Sequence, residues 1–217
     1  MGRIEGLLLD MDGLLLDSEE ISIRAWQEAL AERGRPISRE AMLRCLGRSL
    51  EFTLELIREE TGVTDADGSL RARRIAIGKR MMAPTPPLKP GAMALMDALD
   101  ELGIPRAVCT STGEELARWM LDRCGILPRL DALFCGSDDL PRKPAPDTYL
   151  AGAAALGLPP EACAVAEDSP IGATAGLRAG MTVFLVPDLA PAPQEMLSRV
   201  VLCPSLFEVA AHLRAQR

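Results

Sequence analysis

From Ala92 onward, short apolar segments alternate with amphipathic ones, and this alternation limits the possible folds more than any other feature. Ala92–Leu102 reads as helix, Arg106–Cys109 as strand, Glu114–Cys124 as helix and Ala132–Cys135 as a short strand. Pro146–Leu156 (helix), Cys163–Ala166 (strand), Ile171–Ala179 (helix) and Thr182–Val186 (strand) continue the series. Strands that take turns with helices build a doubly wound parallel sheet, an α/β fold with helices on both faces. One further buried strand, Ile4–Leu9, precedes the series. Between them the pattern changes. Glu20–Arg33, Ser38–Leu46, Ser49–Thr61 and Ser69–Met82 read as amphipathic helices punctuated by Gly34, Gly47 and Gly62, with no convincing strand among them. Pro84-Thr85-Pro86-Pro87 and Pro90-Gly91 then form a stiff connector. The expected organisation is an α/β core from residues 1–16 and 87–217, interrupted by an α-helical domain over 17–86.

Composition narrows the function. Of the 217 residues, 48% are hydrophobic and 25% charged, the balance of a globular protein. No apolar run approaches the roughly 18–20 residues of a membrane span. Glu5, Asp10 and Asp12 break any signal-peptide pattern, so no membrane association is expected and the cytoplasm is the default location. A net charge of −7 argues against a nucleic-acid partner but not against a small phosphate ester, because a divalent cation reverses the sign locally. The six cysteines are scattered without a CxxC pair and read as small buried hydrophobes. The single histidine, His212, lies in a terminal amphipathic stretch. Chemistry that needs a histidine base is badly placed here.

In an open α/β sheet, ligands gather beyond the carboxyl ends of the strands. Four such ends carry polar residues. The first strand runs into Asp10-Met11-Asp12-Gly13, where two carboxylates two residues apart point the same way and can share a cation or divide acid and base roles. The second runs into Thr110-Ser111-Thr112-Gly113, which offers a hydroxyl and free amides to an anion; Thr112 would also serve as an ordinary helix N-cap. Lys143 is held by Pro144 and Pro146 just before a helix. Glu167-Asp168-Ser169 follows an apolar strand, an expensive place for charge unless a hard cation compensates it. Capping of the next helix by Asp168 or Ser169 is the alternative use.

In this order the four segments resemble the motifs of the haloacid dehalogenase superfamily, and in particular its phosphatases with a helical cap inserted after the first strand of a Rossmann-like core. The segment Asp10-Met11-Asp12-Gly13-Leu14-Leu15-Leu16-Asp17-Ser18-Glu19 resembles the first motif. Thr110 resembles the hydroxyl motif, Lys143 the lysine motif, and Glu167-Asp168-Ser169 with Gly172, Ala179 and Gly180 the metal motif. The resemblance implies that Asp10 attacks phosphorus to form an aspartyl phosphate and that Asp12 acts as general acid, then base. It implies Mg²⁺ held by Asp10, the Asp12 carbonyl and Asp168, with Glu167 orienting bound water. Thr110, Lys143 and amides near Met11, Asp12 and Ser111 would hold the phosphoryl oxygens.

The chain is similar to β-phosphoglucomutases, 2-deoxyglucose-6-phosphatases and pseudouridine-5'-phosphatases. Ser22 and Leu50 stand where the mutases carry a histidine and an arginine, which favours hydrolysis of a small phosphorylated metabolite, a sugar phosphate first. A phosphosugar mutase and a non-catalytic phosphate-binding protein are the alternatives. Arg48 on the Gly47-Arg48-Ser49 turn, Glu19, Lys79 and Trp26 are the candidates for reading the substrate; a solvated surface arginine is an equal alternative for Arg48, and at such helical spacing Trp26 is more often a core residue. Hinges would fall near Leu14–Ser18 and Pro84–Pro90, and a monomer is compatible with a cap that must move.

Overall fold

The computed structural model describes residues 2–46, 48–136, 139–189 and 191–216. Gly47, one of the helix punctuations, lies outside them. The chain divides into two compact units, residues 1–16 with 88–217, and residues 17–87.

In the first unit, β1 (Gly6–Leu9) is buried along its whole length, as a central parallel strand covered on both faces must be. In the second unit the chain forms α1 (Glu19–Ala31), α2 (Arg39–Leu43), α3 (Leu50–Thr61) and α4 (Ser69–Met82). The first unit then continues with α5 (Ala92–Leu102), β2 (Arg106–Cys109), α6 (Glu114–Arg123), β3 (Ala132–Phe134) and α7 (Asp147–Ala155). It ends with β4 (Cys163–Glu167), α8 (Pro170–Arg178), β5 (Thr182–Leu185), β6 (Val201–Leu202) and α9 (Leu206–Ala215).

The six strands form one sheet in the order β3-β2-β1-β4-β5-β6, every pair parallel. The doubly wound sheet is therefore the fold. β1 sits at the centre with Leu8 opposite Ala107 on one side and Val165 on the other. The strand order reverses at β1, so the crevice for a ligand opens at its carboxyl end. Leu8, Cys109, Tyr149, Ala153, Val165 and Val183 share one buried cluster in which α7 covers the sheet. On the other side of the fold, Leu95, Met96, Leu99 and Leu102 are buried on α5, which packs against α9. Each fully buried leucine contributes about 1.5–3 kcal/mol by leaving water. His212 stacks at 5.7 Å on Phe184, a structural use. All six cysteines are free thiols, four of them buried.

The helical unit has its own core, in which Ile23, Trp26, Leu30, Leu56, Ile57, Leu70 and Ile77 pack together. Trp26 thus takes its core role. Helix α2 stops at Leu43 instead of running on to Leu46. The amides of Arg44, Cys45 and Leu46 reach back three residues, not four, so the last turn tightens out of the α-helix. The chain leaves the first unit and re-enters it side by side, with Leu16 bridged antiparallel to Leu88 and the Lys89 amide donating to the Leu15 carbonyl. Helix α9 and strand β6 were not expected as elements; Val201–Leu202 is too short to show a period. Among the described residues, no helix is long and apolar enough to cross a membrane.

Candidate active site

The backbone turn after β1 explains the spacing of the first motif. The Asp10 amide extends the ladder to the Ala166 carbonyl, and the Leu15 and Leu16 amides both donate to the Met11 carbonyl. Closing so tight a turn places Gly13 at φ 82°, where a side chain would be strained. Asp10 is thereby buried at the sheet's carboxyl edge, with Asp12 beside it and partly exposed.

From β2, Thr110 is buried, and its hydroxyl lies 3.4 Å from Asp12 Oδ2 while accepting the Thr112 amide at 3.0 Å. The stronger bond to Asp12 comes from Thr112, whose hydroxyl donates at 2.7 Å. This differs from the capping use: Gly113 is the N-cap of α6 and makes no side-chain cap bond. Among the described residues, the amides of Met11 and Ser111 donate to no protein acceptor.

Lys143 precedes a cis peptide bond to Pro144, and its ammonium donates to Asp10 Oδ1 at 2.6 Å, Glu167 Oε1 at 2.7 Å and the Cys109 carbonyl at 2.9 Å. Glu167, fully buried at the end of β4, also accepts from the Tyr149 hydroxyl at 2.6 Å on Oε1. Its Oε2 accepts the amides of Asp168 and Ser169 and the Ser169 hydroxyl. The same Ser169 hydroxyl caps α8 by accepting the Gly172 amide, so the capping alternative and the polar cluster coexist. Gly172 must lack a side chain, since a Cβ there would lie 1.6 Å from Glu167 Oε1.

Asp10, Glu167 and Asp168 are all buried, and each offers a carboxylate oxygen within 4.8 Å of the others. Two of these carboxyl groups, Asp10 and Glu167, share the Lys143 ammonium. Burial pushes the Asp10 carboxyl up to about 7, helped by Glu167 and Asp12 and opposed by Lys143. For Glu167 the upward push of burial is outweighed by Lys143, Tyr149 and the Ser169 amide, which hold it below the usual carboxylate range. Lys143 is raised: burial opposes its charge, but Asp10 and Glu167 more than compensate. The concentration of carboxyl groups and their hard oxygen donors fit a divalent cation.

Glu19, Arg48 and Lys79 all lie in the helical unit: Glu19 opens α1, exposed Arg48 stacks on Phe52 at 5.1 Å, and Lys79 is half-buried on α4. Sequence reasoning missed two residues of the polar cluster. Thr112 offers only a capping use in the sequence, and Tyr149 lies within the Pro146–Leu156 helix, outside the four motif segments.

A lysine and clustered carboxylates at the switch point of a doubly wound sheet define an α/β enzyme built to hold concentrated negative charge. Comparison with known proteins carries this further. The haloacid dehalogenase-like hydrolase family model matches residues 4–180. Hexitol phosphatase A of Escherichia coli is 34% identical over 92% of this chain and 90% of its own. Fructose-1-phosphate phosphatase YqaB of the same organism is 30% identical over 82% and 94%. The crystal structure of CbbY from Rhodobacter sphaeroides in complex with phosphate superposes with a TM-score of 0.82 at 25% identity, covering 95% of this chain and 96% of that one. The chain belongs to the haloacid dehalogenase-like hydrolase family, within which it is a phosphoric monoester hydrolase.

Proposed function

We propose that the chain hydrolyses a small phosphorylated metabolite, in the first place a sugar phosphate, through a phosphoaspartyl intermediate on Asp10 and with Mg²⁺ as cofactor. One observation carries the reading: the Lys143 ammonium bonds Asp10 inside a buried triad of carboxylates. The names of relatives that act on hexitol phosphates and fructose 1-phosphate support the substrate class.

Asp10 and Asp168 would hold the cation, with the Asp12 carbonyl; bound there, it neutralises the carboxylates and the phosphoryl oxygens, so that a phosphate dianion is not repelled. The protein's own groups do the rest. An Asp10 carboxylate oxygen attacks phosphorus while the bond to the leaving oxygen breaks, and Asp12 delivers a proton to that alkoxide. Lys143 would exchange its Asp10 bond for a phosphoryl oxygen, joined by Thr110 and the amides of Met11, Asp12 and Ser111. Asp12 then takes a proton from the water that attacks the phosphoaspartate, which releases inorganic phosphate and restores Asp10. Residues 17–86 would act as the cap, with Glu19, Arg48 and Lys79 contacting the leaving group and closure excluding bulk water.

The test is phosphate release from a panel of sugar, polyol and nucleoside phosphates, with Mg²⁺ and with EDTA, beside Asp10→Asn. Release that needs Mg²⁺ and falls more than about 10³-fold in the variant is expected. Isomerised phosphates in place of free phosphate would overturn the hydrolase reading.

A further inference from the structure

Tyr149 is the only tyrosine of the chain, is fully buried on α7, and belongs to none of the four motifs. A buried phenol costs free energy unless its hydroxyl is bonded. Here that bond goes to a carboxylate of the polar cluster, not to backbone: the hydroxyl donates to Glu167 Oε1 at 2.6 Å. The face of its ring lies 4.7 Å from the Lys143 ammonium, within cation–π range.

We propose that Tyr149 is a positioning residue, which fixes the Lys143 ammonium by gripping Glu167 with its hydroxyl and the lysine itself with its ring. The proposal rests on the phosphatase reading of this site. A lysine ammonium has three hydrogens, and all three are used, on Asp10, Glu167 and the Cys109 carbonyl. Its aim is therefore only as good as the placement of Glu167. A carboxylate accepts about four bonds, and Glu167 has five donors: Lys143 and Tyr149 on Oε1, and the amides of Asp168 and Ser169 with the Ser169 hydroxyl on Oε2. Four of the five come from Lys143 itself or from the segment that follows Glu167. Among the described residues, Tyr149 is the one donor that ties Glu167, at the end of β4, to a helix, α7, and it approaches the oxygen that Lys143 shares. Glu167 thus has its oxygens filled by protein groups and serves chiefly as the anchor of the lysine. A phenylalanine would fill the same space and keep the ring over Lys143, but it would leave Oε1 one donor short and the Glu167–Lys143 pair free to shift.

Tyr149→Phe separates the two uses of this side chain. Loss of one charge-assisted hydrogen bond that acts in the transition state is expected to lower kcat roughly tenfold, with KM changed less than about twofold. A packing role predicts the opposite split: lower Tm with kcat unchanged, and that result would overturn the proposal. A second readout uses the wild-type protein labelled with 3-fluorotyrosine, which gives a single ¹⁹F resonance because there is one tyrosine. Titration with Mg²⁺ alone, and then with inorganic phosphate, should move that resonance. A resonance unmoved by saturating Mg²⁺ and phosphate would equally sink the idea. If wild type releases no phosphate from any compound, it is the hydrolase reading that has failed. The fluorine titration still decides whether Tyr149 is connected to the site.

Discussion

The strand-end cluster and the helical unit use the same charged side chains in opposite ways. At the cluster, the side chains of Lys143, Asp10 and Glu167 are 8%, 11% and 1% exposed, and each ion has several partners. In the helical unit, Arg39–Glu20, Arg44–Glu60 and Arg73–Glu32 pair across the surface with both members about half exposed. Water screens the second kind and its long side chains lose freedom when they pair, so such pairs contribute little. Breaking a buried pair strands a charge, which costs about 3–5 kcal/mol. Charge density along a sequence therefore says little about where charge matters; the glutamate and arginine rows of the helices are the less consequential ones.

Four measurements sharpen or break this contrast. Lys143→Met should show the largest effect: loss of more than about 10²-fold in phosphate release together with a Tm lower by something on the order of 10 °C. An unchanged Tm would mean that the buried pair is not the stabilising unit argued here. Second comes the metal. Because the metal-free Asp10 carboxyl is raised to about 7, it is protonated below that pH, and Mg²⁺ bound there as proposed would have to displace the proton. Apparent Mg²⁺ affinity should fall by up to about tenfold per pH unit below 7 and level off above it. The sign for folding follows: with its folded value above its unfolded one, metal-free Asp10 favours folding at acid pH and loses that contribution as pH rises through about 7. Added Mg²⁺ should therefore raise Tm more at pH 8 than at pH 6, as a thermal-shift series would show. Third, Thr112→Val removes the 2.7 Å bond to Asp12 and should cut kcat a few-fold while leaving Mg²⁺ affinity intact. The smallest effect belongs to the surface: Arg73→Ala should change Tm by less than about 2 °C, and a large loss would mean that the helical unit depends on its ion pairs after all.

Much of this site can be read in the sequence, because strands that must be buried on both faces are nearly pure apolar runs and make the polar residues at their ends conspicuous. Asp10, Thr110 and Glu167-Asp168 stand out for that reason. Lys143 is noticeable for its prolines, but nothing local shows that its ammonium reaches across to the ends of three strands. Thr112 and Tyr149 were missed for a related reason. A hydroxyl before a helix always has a capping use to offer, and an aromatic on the apolar face of α7 looks like any other core residue. Only a contact over 100 positions, from Thr112 to Asp12, or over 18, from Tyr149 to Glu167, shows that they join the polar cluster. The shortening of α2 was hidden differently, since the amphipathic pattern does not distinguish four-residue from three-residue bonding in a last turn.

The central place of β1 has a consequence for synthesis. Its partners, β2 and β4, begin at Arg106 and Cys163, far downstream. At about 5–20 residues per second, the ribosome needs roughly 5–20 s to deliver the first of them after β1 has emerged. For that interval Gly6–Leu9 is an apolar strand with both edges open, while the contiguous helical residues 17–87 can already complete their own core. The segment that leads into Asp10 is thus exposed to wrong pairings longest, and helper proteins that shield nascent strands should find it first.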